Sequence, residues 1–430
     1  MTIRRQLLLA AYVVILLGPL AFMLAGRNPA GSGFIVLTSV GVSSVAFAGI
    51  ALQFVLASRW RTIARPFGAD LLVRFHRAMG LGVFSLVALH VVLILIDRRD
   101  RLTTIIEDVG YIAGFIGLLA LMLLSVLSWP RPRPQHRYEM WKALHGALGT
   151  LVLVATFVHV IRVGHFATND VIAWLMAVTA GVALTTWFAL RILRPFRFAR
   201  GAFRLASITP ERGDAITITL APERGTLDQS WYPGQFGWIK LASRPYDLAE
   251  HPFSMSSSAA ERTSISFTCK VVGDFTRQLM SLPTGTRLVV DGPHGSYRPA
   301  MKGAPRMLVV AGSGIAPAMS ILRTMSDVGD SAPVQLIYGI RSMHSATFAE
   351  ALDFLRARLN LRIDFVATQE SPSWTGPRGR IDENVLRTLA PRDLTLREAF
   401  VCGAPRFVDD VGAALMRMGI PRDQLHMERF

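Results

Sequence analysis

Residues 71–96 read LLVRFHRAMGLGVFSLVALHVVLILI, and residues 143–163 read ALHGALGTLVLVATFVHVIRV. Each run is long and apolar enough to cross a hydrocarbon layer of ~30 Å as a helix. Each carries two histidines fourteen positions apart: His76 and His90 in the first, His145 and His159 in the second. At 3.6 residues per turn, that spacing leaves two side chains about 40° apart on one face and ~21 Å apart along the axis. Ionisable side chains are rare in such segments and usually functional there. A single histidine is most simply a hydrogen-bonding residue between helices. Four, at one repeated spacing, ask for a shared partner.

Working outward, further apolar stretches at 7–25, 34–56, 109–128 and 171–192 bring the expected spans to six. Composition agrees: 51% of residues are hydrophobic and the mean hydropathy is +0.38, too high for an ordinary soluble protein. The net charge of +16 sits largely beside the spans, so no nucleic-acid partner is expected. Arg4 and Arg5 precede the first span. Arg59, Arg61, Arg65, Arg74 and Arg77 surround the second loop, Arg131, Arg133, Arg137 and Lys142 the fourth, and Arg191, Arg194, Arg197, Arg200 and Arg204 follow the last. The positive-inside rule then puts both termini in the cytoplasm of a bacterial-type inner (plasma) membrane, with the chain multi-pass in the bilayer. The opening Met-Thr-Ile-Arg-Arg imitates a signal peptide, but no small-x-small cleavage site follows, and the run is read as a retained helix.

Spans three and five run the same way through the membrane. His76 and His145 are therefore expected near the cytoplasmic side, and His90 and His159 near the other. Facing imidazoles ligate a haem iron axially, so two b-type haems are expected, stacked across the bilayer. Cys269 and Cys402 are the only cysteines. They form no C-x-x-C-H attachment, so the haems would be held non-covalently. Zinc is the rival metal, but the two pairs lie too far apart to make one site. Arg74, Arg77, Lys142 and Arg162 are either partners of haem propionates or snorkelling anchors.

From about residue 205, β-like alternations such as Ala215-Ile-Thr-Ile-Thr-Leu220 are separated by Gly and Pro turns; after 305, apolar strands alternate with helical segments. Val309-Val-Ala-Gly-Ser-Gly-Ile-Ala-Pro317 is a strand, a Gly-x-Gly-x-x-Pro turn and the start of a helix, the setting in which a backbone approaches a pyrophosphate.

Tyr232-Pro-Gly-Gln-Phe236, His251-Pro-Phe-Ser254 and Asp291-Gly-Pro-His-Gly-Ser296 resemble the flavin domain of the ferredoxin–NADP reductase family. The His-Pro-Phe-Ser form, joined to the paired histidines, is similar to its bacterial NADPH oxidase and ferric reductase-like transmembrane flavocytochrome branch over nearly the whole chain. The resemblance implies FAD held by His251, Pro252, Phe253, Ser254, Ser256, Ser257, Gly273 and Thr276, with Ser254 offering its hydroxyl to the hydride-accepting N5. It implies NADPH or NADH at Gly312, Gly314, Pro317, Arg341, Cys402 and Gly403. Ser254, Cys402 and Phe430 are the catalytic candidates, the terminal Phe430 as a gate over the flavin. Cys402 is not expected as a covalent nucleophile, because no histidine lies nearby in sequence to activate it. Thr368-Gln-Glu370 stands where a phosphate reader belongs, which leaves the choice of nucleotide open.

The expected architecture is a multi-domain membrane protein: a six-helix transmembrane haem bundle in 1–197, a flavin-binding β-barrel in 198–302 and a Rossmann-like α/β nucleotide-binding domain in 303–430. Its expected work is electron transfer from cytosolic NAD(P)H through FAD and two haems to O₂, giving superoxide. A ferric chelate, a periplasmic redox partner and a quinone are alternative acceptors, and a cytosolic flavin reductase merely anchored by helices is a fourth reading. No EF-hand loop is present in the sequence, so neither calcium control nor an obligatory cytosolic activator is expected.

Overall fold

The computed structural model describes residues 3–25, 33–58, 60–67, 69–97, 108–129, 135–163, 170–193, 203–223, 225–227, 231–242, 250–295, 297, 299, 303–370 and 374–429. The chain divides into two compact units, Met1–Pro195 and Phe196–Phe430.

The first unit is helical: α1 (Ile3–Ala25), α2 (Phe34–Leu56), the short α3 (Arg61–Phe67), α4 (Ala69–Asp97), α5 (Val109–Ser128), α6 (Gln135–Val163) and α7 (Asp170–Phe188). Among the described residues five helices, α1, α2, α4, α5 and α6, are long and apolar enough to cross a membrane. The sixth expected span is α7, whose apolar segment Trp174–Phe188 is shorter. Its α-helical bonding stops at Phe188, where the chain passes into a π-helical turn, Ala189–Leu193. Large apolar side chains face outward, Leu7 at 65% exposure and Trp174 at 73%, as hydrocarbon solvent allows and water does not.

Helix α2 packs against α1, α4 and α7, and α5 against α6. Ile50, Val83, Leu121, Leu153 and Ala183 share the buried seam. Without a hydrophobic drive between helices in lipid, close packing needs small residues. Gly110, Gly114 and Gly117, spaced four and three along α5, supply them: a Cβ on Gly110 would lie 2.8 Å from Cβ of Arg162, and one on Gly117 3.4 Å from Thr156. Asp108 caps α5 by accepting from the Gly110 N–H at 2.6 Å.

The second unit contains two sheets. Six strands, β1 (Phe203–Glu211), β2 (Ala215–Pro222), β3 (Phe236–Leu241), β4 (His251–Ser254), β5 (Ile265–Lys270) and β6 (Arg287–His294), join antiparallel in the order β4-β3-β6-β1-β2-β5. Five more, β7 (Arg306–Ala311), β8 (Val334–Ile340), β9 (Leu361–Ala367), β10 (Glu398–Gly403) and β11 (Leu425–Arg429), run parallel in the order β11-β10-β7-β8-β9. Met307 to Val310 are fully buried, as a central strand covered on both faces requires. Alternation divides them: Leu308 and Val310 join Leu336, Tyr338 and Phe400 on one face, while Met307 and Val309 join Ile337 and Val401 on the other. Helices α8 (Asp274–Met280), α9 (Ile315–Asp327), α10 (Ala349–Arg356), α11 (Glu383–Leu389) and α12 (Pro405–Arg417) complete the unit.

Candidate functional site

Helices α4 and α6 bring the four membrane histidines together in two pairs. The rings of His76 and His145 are 6.2 Å apart between centroids, and those of His90 and His159 are 6.3 Å apart. Each ring has a hydrogen-bond partner on a neighbouring helix. His159 Nδ1 lies 2.8 Å from the Gly110 carbonyl oxygen, which can only accept, so this nitrogen carries the proton and the lone pair is on Nε2. His90 Nδ1 meets Ser39 Oγ at 2.9 Å and the Ser39 carbonyl at 3.1 Å. His145 Nδ1 meets Ser128 Oγ at 3.0 Å, and the Gln53 backbone is a hydrogen-bond partner of His76. Gly114 lies beside the His159 imidazole: a Cβ there would come within 2.7 Å of Nδ1. Among the described residues no three histidine, cysteine or acidic side chains gather into one cluster. Arg74, Arg77 and Arg162 are exposed and Lys142 is half-buried.

In the second unit His251-Pro-Phe-Ser254 forms β4, paired with β3 so that Ser254 lies opposite Phe236. His251 stacks on Phe275 at 4.0 Å, and Phe253 stacks on the same ring at 6.1 Å. Phe275 belongs to α8 and went unassigned in the sequence, where it is simply the residue after Asp274. Gly273 and Thr276 open that helix, the Gly273 N–H donating to Thr276 Oγ1 at 3.0 Å. Ser257 is buried and accepts from the Ser266 N–H.

Ser256 departs from its expected part. It is fully buried; its N–H donates to the Ser266 carbonyl, its carbonyl accepts from Arg323 at 2.7 Å, and its hydroxyl accepts from Thr268 at 2.7 Å. The hydroxyl series continues through Thr217 to Glu211, whose carboxyl burial pushes above its ordinary range. A side chain used inside the barrel in this way is not offered to a pyrophosphate. Ser296 and Phe430 lie outside the described residues.

A groove of about 1580 Å³ runs along the carboxyl ends of the parallel strands. Ala311 and Gly312, where β7 passes into the turn before α9, line it, and Pro317 lies in the first turn of that helix. Gly314 is dictated by β10: a Cβ there would lie 2.2 Å from the Cys402 carbonyl oxygen. Gly312 (φ +58°) faces Lys270, whose Nζ lies 3.8 Å from where its Cβ would be. Glu211, Asp214, Asp382, Glu383 and Asp410 line this groove together with the cations Lys270, Arg341, Arg380, Arg406 and Arg417, so a ligand there meets charges of both signs. Of these, sequence reading found only Arg341, since the others are spread over several elements and no short motif joins them.

Cys402 also departs from expectation. Its side chain is wholly buried with Tyr297 and Phe400, and burial, with the Glu428 carboxylate adding to it, pushes the thiol well above the ordinary range. Its thiol is withdrawn from the groove, and any part it plays there falls to its backbone. Glu428 is its register neighbour on β11; burial raises that carboxyl to about 8, and Oε1 lies 3.1 Å from where a Cβ of Gly295 would be. The sequence offered Glu428 only as part of the terminal Glu-Arg-Phe.

Comparison with known proteins decides the class. The ferric reductase like transmembrane component family matches residues 42–156, and the oxidoreductase NAD-binding domain family matches residues 308–412. The chain fuses a ferric reductase-like transmembrane component to an FNR-type reductase. This oxidoreductase is similar to the ferredoxin reductase component of the 3-ketosteroid-9-alpha-monooxygenase of Rhodococcus rhodochrous, at 30% identity over 53% of this chain and 64% of that one. It is similar to the reductase component of the propane 2-monooxygenase of Rhodococcus jostii (strain RHA1), at 27% identity over 53% of this chain and 62% of that one. The reductase fusion thus spans a little under two thirds of the length of these curated relatives. Among solved structures, the ferredoxin reductase in carbazole 1,9a-dioxygenase matches 54% of this chain and 69% of its own, at 26% identity and a TM-score of 0.47. The fusion is a multi-pass membrane protein with flavin- and NAD(P)H-binding machinery.

Proposed function

We propose that the protein carries electrons from cytosolic NAD(P)H, through FAD and two b-type haems, to O₂ on the far side of the membrane, giving superoxide. The observation that carries this reading is the pair of equal histidine separations, 6.2 and 6.3 Å, repeated along the same two helices. Two metal–nitrogen bonds of about 2.0–2.1 Å, with roughly 1.1 Å from nitrogen to ring centre on each side, span about 6.2–6.4 Å. The ring separation of each pair is thus of the size that two imidazoles sharing one metal would have. Zinc takes three or four protein ligands, whereas each pair supplies two, the number a haem iron needs axially. The hydrogen bonds on the Nδ1 side support the same assignment, since metal-binding imidazoles are oriented through their other nitrogen.

FAD, when bound, converts a two-electron donor into a source of single electrons. In this reading His251, Pro252, Phe253, Ser254, Ser257, Gly273 and Thr276 hold it, with the Ser254 hydroxyl directed to N5. Gly312, Gly314, Pro317 and Gly403 would hold the nucleotide, Lys270 and Arg341 would meet its negative groups, and Phe430, outside the described residues, would serve as the gate over the flavin. His76 and His145 serve the cytoplasmic side, His90 and His159 the other, and both termini are cytoplasmic.

A haem held by two histidines would have no ligand position left for the acceptor, which would suit a small molecule that takes an electron without binding the iron. A second reading, reduction of a ferric chelate, is favoured by the match of residues 42–156 to the ferric reductase like component. Purified protein loaded with haem and FAD decides between them. Stoichiometric, dismutase-sensitive superoxide during NADPH oxidation in air, unaffected by calcium, supports the oxidase. Slow turnover in air that accelerates on adding ferric chelate overturns it in favour of the reductase.

A further inference from the structure

The turn between β1 and β2, at the edge of the flavin barrel, is built onto the nucleotide-binding sheet. Gly213 has φ +76°, and a Cβ on it would lie 2.5 Å from the carbonyl oxygen of Ser345. The Arg212 carbonyl accepts from Thr347 Oγ1 at 2.8 Å, and the Arg212 guanidinium reaches the Met343 carbonyl at 3.5 Å and pairs with Glu350. The segment so gripped, residues 342–348, follows directly on Arg341. Its other side is held by Glu370, which accepts from the Met343 N–H, and it ends on Phe348, a bulky residue held at φ +68°. Such a conformation costs free energy and persists only where the surroundings over-determine it. Thr347 and Phe348 are 2% and 3% exposed, and Arg323 lies 5.0 Å over the Phe348 ring.

Gly213, Asp214, Arg341 and Ser345 all line the groove. Along the sheet edge the order β10, β7, β8, β9 puts Gly403 first, the Gly312 turn next and Arg341 beyond it. A dinucleotide with its pyrophosphate at Gly312 and its nicotinamide at Gly403 has its adenosine half at Arg341.

We propose that the β1–β2 turn of the barrel is a positioning element for the nucleotide: through Gly213 and Arg212 it fixes the 342–348 segment and, with it, the Arg341 side chain that meets the adenosine half. The inference rests on the nucleotide reading of the groove. Thr347 and Gly213 are its positioning residues, acting through Arg341.

The test uses the full-length, FAD-loaded protein with ferricyanide as electron acceptor and both NADPH and NADH as donors. Gly213→Ala is compared with Gly285→Ala, which carries a similar backbone strain (φ +88°) but has nothing within 4 Å of its added Cβ. The expected result is a KM raised on the order of 10-fold in Gly213→Ala, with kcat and FAD content near wild type, and little change in Gly285→Ala. Thr347→Val is expected to raise KM in the same sense, and Thr347→Ser to restore it. Equal KM values in the two glycine variants overturn the inference while leaving the nucleotide groove intact. A loss of kcat or FAD in Gly213→Ala, with KM unchanged, overturns it in favour of a purely structural turn. Failure of wild-type protein to use either nucleotide removes the groove reading, and this inference with it.

Discussion

His159 donates its Nδ1 proton to an oxygen that can only accept, which leaves Nε2 able to bind a metal. The neighbouring Gly114 keeps the ring from being displaced sideways. If each histidine pair holds one haem, as proposed, His159→Leu is expected to remove one of two haem equivalents in a pyridine haemochrome assay, while ferricyanide reduction by the second unit continues at the wild-type rate. Loss of that dye reduction as well would count against modular electron transfer. Glu428 gives a second residue-level prediction. Burial raises its folded-state value to about 8, against an ordinary 4.5. The folded protein holds this proton where the unfolded chain has released it, so the associated stability is full below about 4.5 and falls as pH rises toward 8. Glu428→Gln cannot ionise, and its thermal midpoint, followed from pH 5 to 8, should decline less steeply than wild type. Parallel profiles would refute the assignment.

At the scale of elements, two close approaches decide where chemistry can happen. Helix α5 meets α6 through Gly110, Gly114 and Gly117, and the strand–turn–helix around Gly312 meets the end of β10 through Gly314. The second has less freedom, because the opposing atom is a backbone carbonyl and not a mobile side chain. Gly314→Ala should cost about 1–3 kcal/mol of stability through overpacking. It should also weaken nicotinamide nucleotide binding, both measurable by thermal melts with and without NADP⁺. Gly114→Ala asks the His159 ring to move by a few tenths of an ångström or more. A shifted low-spin haem signal in electron paramagnetic resonance, with haem content retained, is the expected outcome. These elements were legible in outline. Apolar runs marked α2, α4, α5 and α6, and the Val309–Pro317 motif marked its turn. The sixth run, 171–192, falls on α7 and its π-helical end, and composition carries no signal for the change of bonding at Ala189.

Across the whole molecule, one unit is dissolved in lipid and the other is an FNR-type reductase. If electrons cross from one to the other, protein reconstituted in liposomes with the nucleotide on one side should reduce an impermeant acceptor on the opposite side. His90→Leu should abolish that transfer and spare reduction of ferricyanide on the nucleotide side. Transfer that survives the substitution would return the helices to the role of an anchor. Arginine distribution makes a further claim at this scale: reporter cysteines at the two termini should be labelled from the same face, and opposite labelling would reverse the orientation.

What the sequence determined by itself was whatever periodicity and local order can carry. Fourteen-residue spacing put two histidines on one helix face, and the succession of apolar runs, β alternation and strand–turn–helix separated a membrane part from a reductase part. Tertiary structure alone decided which groups meet. It withdrew the Ser256 hydroxyl and the Cys402 thiol into packed interiors and brought Phe275 onto His251. It also set Lys270 beside Gly312 and closed the β1–β2 turn onto the segment after Arg341. Burial and proximity between residues distant in the chain depend on how strands pair and helices cross, and no local spacing records them.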